Sequence, residues 1–275
     1  MNRIVFFSLT FSFFVVNAFS QDMSYISGAR SRALAESTTT FTDHWAAINN
    51  QAGLAFVPSF GAGVFFENRF NMRELNTAAL AMAVPVGNIS ALGFSVYSFN
   101  QSVVFSRQKF GLGYGIRLSS NFSAGIKLNL LHTTIDEYNN NLSICGEIGV
   151  LFHPSSKLGI GVHVFNPTAN KYSGFDNERI PSVMRVGMSY LMSEKTLFLA
   201  EFDNTSVEGF GFKGAVEYYL NEKLSFQAGL KTRYWVSSFG LRYNMKNFSV
   251  NVSVLLHQVL DSSPGISLDY ISSEQ

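Results

Sequence analysis

The sequence predicts an all-β protein: a transmembrane antiparallel up-and-down β-barrel of about 14 strands, preceded by a short, partly helical plug segment. Three observations predict it. Period-two alternation recurs along most of the chain, the connections alternate between short and long, and the composition is apolar yet poor in charge. Hydrophobic residues make up 47% of the chain and aromatics 15%, with 27 Phe and 11 Tyr, while charged residues reach only 14%. A water-facing surface normally carries more charge than that; a wall facing lipid does not need it.

The chain opens with Met1-Asn2-Arg3 and an apolar run from Ile4 to Ala18. One positive charge, a short apolar core and small residues at Ala18 and Ser20 read as a secretory signal peptide over residues 1–20, cut before Gln21. The run is too short for a membrane-spanning helix, and no later stretch reaches about 18 uninterrupted apolar residues. Export without a helical anchor points to the cell outer membrane, with outer-membrane lipid as the first partner.

Residues 21–58 break the alternating pattern and read as a plug or periplasmic segment. Asp43 is placed to N-cap a short helix running through Ile48. Residues 59–275 are read as the barrel. In Ala124 to Leu130 one face holds Ala, Ile, Leu and Leu, and the other holds Gly125, Lys127 and Asn129. The same two-faced register recurs at 111–118, 158–164, 224–231 and 248–254, because side chains two apart share a face.

The polar face is mostly Gly, Ser, Asn and Thr with about one charge per strand. Glu67, Arg117, Lys127, Glu147, Arg185, Lys213, Glu217, Lys231 and Arg242 are assigned to the lumen, where mixed signs can pair. Short turns are read at 86–88, 119–121, 154–157, 193–195, 221–223 and 244–247. Longer polar stretches are read near 67–75, 98–108, 133–141, 166–181, 203–209, 232–238 and 257–264, the rhythm of a membrane barrel. Prolines fall at strand ends or turns, where a missing N–H costs a ladder least.

Other chemistry is thin. Net charge is +1 with no long basic cluster, which sets nucleic acid aside. One cysteine, Cys145, excludes an internal disulfide and reads as a small inward-facing side chain. His44, His132, His153, His163 and His257 are scattered, with no Gly-x-Ser-x-Gly elbow and no metal-spaced pair, so no catalytic, metal or cofactor site is expected. His153 and His257 are assigned to membrane boundaries and His163 to the lumen. Phe66, Phe70, Tyr97, Phe99, Phe110, Phe152, Tyr190 and Tyr218, near strand ends, are assigned to aromatic girdles, with a hydrophobic-ligand track as the alternative. The stretch from Asn166 through Asp176, Glu178 and Arg179 is the longest outer loop.

Ser27 to Leu34, followed by Asp43-His44-Trp45-Ala46-Ala47-Ile48-Asn49-Asn50-Gln51-Ala52-Gly53-Leu54-Ala55, resembles the start of barrels in the FadL-like superfamily, above all the PorV/PorQ-type proteins of Bacteroidota. Members pass through an acidic-aromatic turn into Asn-Asn-Pro-Ala-Gly-Leu before the first strand, and the family has fourteen strands. Asp43, Trp45, Asn49, Asn50, Ala52 and Gly53 match the motif. Gln51 stands where the family has Pro, and in fatty-acid transporters that Pro-containing motif belongs to the lumenal hatch; here the motif serves as a family marker. The resemblance implies an accessory barrel of type IX secretion or surface attachment, partnered by a translocon or exported cargo. The alternative is a FadL-like carrier for hydrophobic small molecules, which predicts an apolar pocket beside Trp45 and Ile48.

Overall fold

The computed structural model describes residues 26–101, 105–135, 141–172 and 179–272. The expected signal peptide and its cleavage site, and Asp176 and Glu178 of the outer loop, lie outside these residues. Fourteen antiparallel strands close on themselves in chain order, β1 pairing with both β2 and β14. They are β1 Gly61–Asn68, β2 Leu75–Val86, β3 Ser90–Gln101, β4 Phe105–Arg117, β5 Phe122–Ile135, β6 Asn141–Ser155, β7 Leu158–Phe165, β8 Val183–Ser193, β9 Thr196–Thr205, β10 Gly209–Tyr219, β11 Leu224–Lys231, β12 Val236–Asn244, β13 Phe248–Leu256 and β14 Ser263–Ile271. Closure pairs every strand on both edges, the arrangement that leaves no open ladder in hydrocarbon.

All six short turns fall where the alternation placed them, at one end of the barrel together with both ends of the strand set. The other end differs from expectation. Stretches 98–108 and 133–141 were read as loops, yet β3 and β4 pair out to Gln101 and Phe105, and β5 and β6 pair out to Thr133 and Asn141. Polar composition there marks strand ends extending beyond the apolar belt rather than loss of pairing. β4 and β5 continue that pairing to Ile135.

Alternation decides which face each residue takes. On β5, Ile126 and Leu128 are more than 60% exposed, while Lys127 and Asn129, which alternate with them, are buried. Leu112, Ile144, Ile148, Phe202, Phe226, Phe239 and Ile266 continue this belt on other strands. A charge placed in its middle should be costly in proportion to depth. Leu128→Lys, mid-strand and opposite Leu112, is expected to destabilise the barrel by about 2–4 kcal/mol, and Leu118→Lys at the turn end by about 0–1 kcal/mol. Denaturant titration of both variants refolded into lipid vesicles measures the difference; equal costs would mean that Leu128 does not face lipid.

Residues 26–56 lie inside the ring of strands. They form two short helices, α1 Ala29–Ala33 and α2 Ala46–Asn49, and a 3-10 turn at Gln51–Phe56. Nearly every residue from Ile26 to Ala55 is buried. Asp43 does not cap α2, which begins three residues later; its Oδ1 instead accepts the Trp45 backbone N–H at 2.9 Å. That bond closes a local turn that leads the chain into the helix.

Inward-facing glycines make room for this segment. A methyl group at Gly125 would overlap the backbone of Gln51 and Ala52, and one at Gly149 would overlap the Asn50 side-chain oxygen. Gly115, Gly161 and Gly240 are occupied in the same way by Gln51, Thr39 and Ala33. The small face of the strands is thus shaped to a chain lying against it.

Candidate functional site in the barrel interior

Five carboxylates on the wall hold the inner segment, each through a different strand. Glu67 on β1 accepts from Arg32 Nε and Nη2 at 2.5 and 2.6 Å. Glu217 on β10 accepts from Arg30 Nη2 at 2.7 Å. Glu201 on β9 accepts the backbone N–H groups of Thr38 and Thr39 at 2.9 and 3.0 Å, and the Thr39 hydroxyl as well. Glu147 on β6 accepts from Gln51 Nε2 at 2.8 Å. Asp269 on β14 accepts from Trp45 Nε1 at 2.9 Å, with His44 Nε2 at 3.2 Å. Charge-assisted bonds of this kind are strong where water is excluded.

The remaining residues assigned to the lumen sit as follows. Lys127 and Lys109 flank Glu147. Arg185 Nη2 donates to the Asn49 carbonyl and, at 2.9 Å, to His163 Nδ1, which leaves Nε2–H of His163 to donate to Glu147 at 3.0 Å. Lys213 bridges Glu201 and Asp203 at 3.1 and 3.7 Å, and Lys231 pairs with Glu36 of the inner segment at 3.2 Å. Arg117 donates to the Ala55 carbonyl at 3.1 Å and stacks on Phe56. Arg242, on β12, is half-buried opposite Ser225 and Asn251. Charges on the wall therefore pair with one another, as Lys109 and Lys127 with Glu147 and Lys213 with Glu201 and Asp203, and also with the inner segment, as Glu217 with Arg30, Glu67 with Arg32 and Lys231 with Glu36.

The motif residues form the joints of that segment. Asn49 Nδ2 donates to Ser31 Oγ at 3.2 Å, tying α2 to α1. Asn50 caps the 3-10 turn by accepting from Ala52 N at 3.2 Å while donating to the Thr39 carbonyl at 2.6 Å. Ala52 is fully buried, and Gly53 sits against the Phe41 carbonyl, where a Cβ would clash. Asp43 pairs with Arg30 at 3.3 Å.

Several inner residues escaped the sequence reading. Asp269 shares its strand face with Ser263, Gly265 and Ser267, a parity that places it inside, whereas Glu201 and Asp203 share theirs with Leu197 and Leu199, so parity on β9 gives no such signal. Tyr97 and Phe99 were assigned to the girdle but face inward: they share parity with Gly93 and Ser95, not with exposed Phe94. Phe66, Phe110, Phe152, Tyr190 and Tyr218 do face outward. Phe70 lies in the turn after β1, against His257 at 4.8 Å.

Against this polar network stands one apolar cluster at the loop end. Ile48, Leu131, Cys145, Phe165, Tyr172 and Ile180 pack together, each at most 6% exposed, continuous with Trp45 and Phe65 below. Tyr172 and Ile180 come from the described ends of the connection between β7 and β8, which Asn166 ties together: its Nδ2 donates to the Ile180 carbonyl at 2.7 Å, and its Oδ1 accepts from Asn170 N at 3.1 Å. The region beside Trp45 and Ile48 is thus apolar, as a carrier would need, but filled with side chains rather than hollow.

A closed fourteen-stranded barrel with an apolar exterior and a chain segment packed inside it is the architecture of an outer-membrane β-barrel. Its particular fold is the FadL type. The Pseudomonas putida toluene transporter TodX superposes with a TM-score of 0.71 over 91% of this chain and 100% of its own, at 11% identity. A Pseudomonas aeruginosa FadL homologue gives 0.64 over 89% and 98% at 13% identity, and the CymD monoaromatic hydrocarbon channel gives 0.66 over 92% and 99% at 11% identity. Likeness at such low identity establishes shared fold alone. No family model matches the sequence, and no curated protein matches it either.

Proposed function

We propose that this protein resides in the outer membrane and carries hydrophobic small molecules across it. The observation that carries the reading is the apolar cluster of Ile48, Leu131, Cys145, Phe165, Tyr172 and Ile180 at the loop end of the interior, set beside the charged and amide groups that hold the inner segment. A solute leaving water needs an apolar site of this kind. The like-folded proteins named for an activity are a toluene transporter and monoaromatic hydrocarbon channels, which supports the same reading. With its side chains in contact this apolar region is closed, so passage requires the inner segment to move aside.

The secretion or surface-attachment role implied by the N-terminal resemblance takes second place, since nothing in the fold comparisons favours a translocon or cargo partner. Uptake by whole cells separates the two. Cells lacking the chain are expected to take up radiolabelled toluene, naphthalene and decanoate more slowly than complemented cells. Equal rates for all three, together with recovery of the barrel bound to secretion components from native membrane, would reverse the order of the readings.

A further inference from the structure

We infer that the interior just below the apolar cluster carries a seat for a neutral hydroxyl group, so that the solutes it selects are apolar molecules bearing a hydroxyl; the inference deepens the carrier reading and rests on it. Four polar atoms build the seat: Ser95 Oγ on β3, Lys127 Nζ and Asn129 Oδ1 on β5, and Gln51 Oε1 of the inner segment. Each is buried with no hydrogen-bond partner among the described residues, and the four residues are at most 4% exposed. A glycine brings three of these groups together. A methyl group at Gly111 would meet Lys127 Cε, Ser95 Oγ and Asn129 Oδ1 at once, the last two at 2.6 and 2.8 Å. Gln51 joins from the inner segment: its Cγ lies 3.2 Å from where a Cβ on Gly113 would stand, and Gly113 pairs with Lys127.

What each amide does at its other end fixes its orientation. Asn129 Nδ2 donates to Glu147 Oε1 at 2.9 Å and to the Cys145 carbonyl at 3.4 Å, and Gln51 Nε2 donates to Glu147 Oε2 at 2.8 Å, so both amide oxygens face away from that carboxylate. Lys127 Nζ stands 3.6 Å from Glu147 Oε1. The seat therefore offers an ammonium and a hydroxyl that can donate, beside two amide oxygens that only accept. A carboxylate, which only accepts, would leave Asn129 and Gln51 unanswered and crowd Glu147. A hydrocarbon answers none of the four. A hydroxyl donates and accepts at once.

Position couples the seat to the apolar cluster. Ser95, Gly111, Asn129 and Cys145 stand side by side on β3, β4, β5 and β6. Tyr97 and Leu131, two residues nearer the loop end on the same strand faces, belong with Cys145 to the cluster. A solute whose apolar body lies among those side chains thus brings a terminal hydroxyl to the level of Asn129. Buried donors and acceptors are met by water or by a ligand, and displacing water with a group that cannot reproduce its hydrogen bonds loses affinity. A site that can bond a hydroxyl therefore discriminates against the analogue that lacks one.

The test uses the full chain in lipid nanodiscs at neutral pH, with empty nanodiscs subtracted, and equilibrium dialysis of three probes that share one ring system: 2-naphthol, naphthalene and 2-naphthoate. Naphthol is expected to bind about tenfold more tightly than naphthalene, the gain of one or two hydrogen bonds, and naphthoate no more tightly than naphthalene. Ser95→Ala removes a hydroxyl that has no hydrogen-bond partner in the structure, and should weaken naphthol by about fivefold while leaving naphthalene unchanged. Should that variant misfold, the ranking of the three probes on the native chain still decides. Naphthalene or naphthoate binding as tightly as naphthol overturns the inference and leaves the carrier reading intact. Failure of all three to bind also overturns it, and the carrier reading then stands or falls on uptake by cells.

Discussion

Deletion of residues 26–56 is expected to convert a closed barrel into a permanently open, water-filled pore. The strands pair with one another round the full circle and do not use the inner segment to close, so the wall should still fold. What the deletion removes is the filling: the backbone of Thr39, Gln51 and Ala52 that lies against Gly161, Gly115 and Gly125, and the partners of Glu67, Glu147, Glu201, Glu217 and Asp269. Water would enter and solvate those carboxylates, so the loss of stability should be far smaller than for the same unpaired groups kept dry. In planar bilayers the native protein should show only baseline current, and the deletion variant a steady open-channel current. A variant that is folded by heat-modifiable mobility and circular dichroism, yet still silent, would show that the segment is not what seals the barrel.

That segment also marks the limit of what the sequence revealed. Strand positions, both faces and all six short turns were legible because each depends on neighbours within a few residues: parity fixes the face, and small polar residues fix the turn. The fit of the interior was not legible, because Arg30 meets Glu217 across 187 residues and Thr39 meets Glu201 across 162. No local pattern encodes such a partner. Glycines such as Gly125 and Gly149 were visible as a small inner face, but their reason, the close passage of Gln51 and Asn50, needs the three-dimensional fold. Tyr97 and Phe99 are a different case. Parity assigned them inward all along, and residue type, an aromatic near a strand end, pulled them outward. The inward aromatics at the loop end were hidden by that preference, and with them the arginines that stack on Phe99 and Phe105.

Arg32→Met should loosen the segment without opening the barrel, and its partner variant should show why. Arg32 spans two buried carboxylates, Glu67 on the wall and Glu36 in the segment itself, and its side chain is 3% exposed. Removing one member of a buried pair strands the other, at a cost of roughly 3–5 kcal/mol. Part of that cost is relieved here, since Arg69 remains 3.4 Å from Glu67 and Lys231 3.2 Å from Glu36, so a cost near the lower end, about 3 kcal/mol, is expected. It should fall on docking of the segment rather than on the strands, and should read out as faster proteolysis of residues 26–56 and flickering current, with barrel unfolding little changed. Glu67→Leu combined with Arg32→Met removes both charges of that pair and should recover part of the lost protection, because no carboxylate is left stranded on β1, while buried Arg69 loses its Glu67 partner and keeps the rest from returning. If the double variant is no better than the single, then Arg32 acts through Glu36 and not through the wall, and the segment is held at β1 by packing around Trp45 and Phe65 alone.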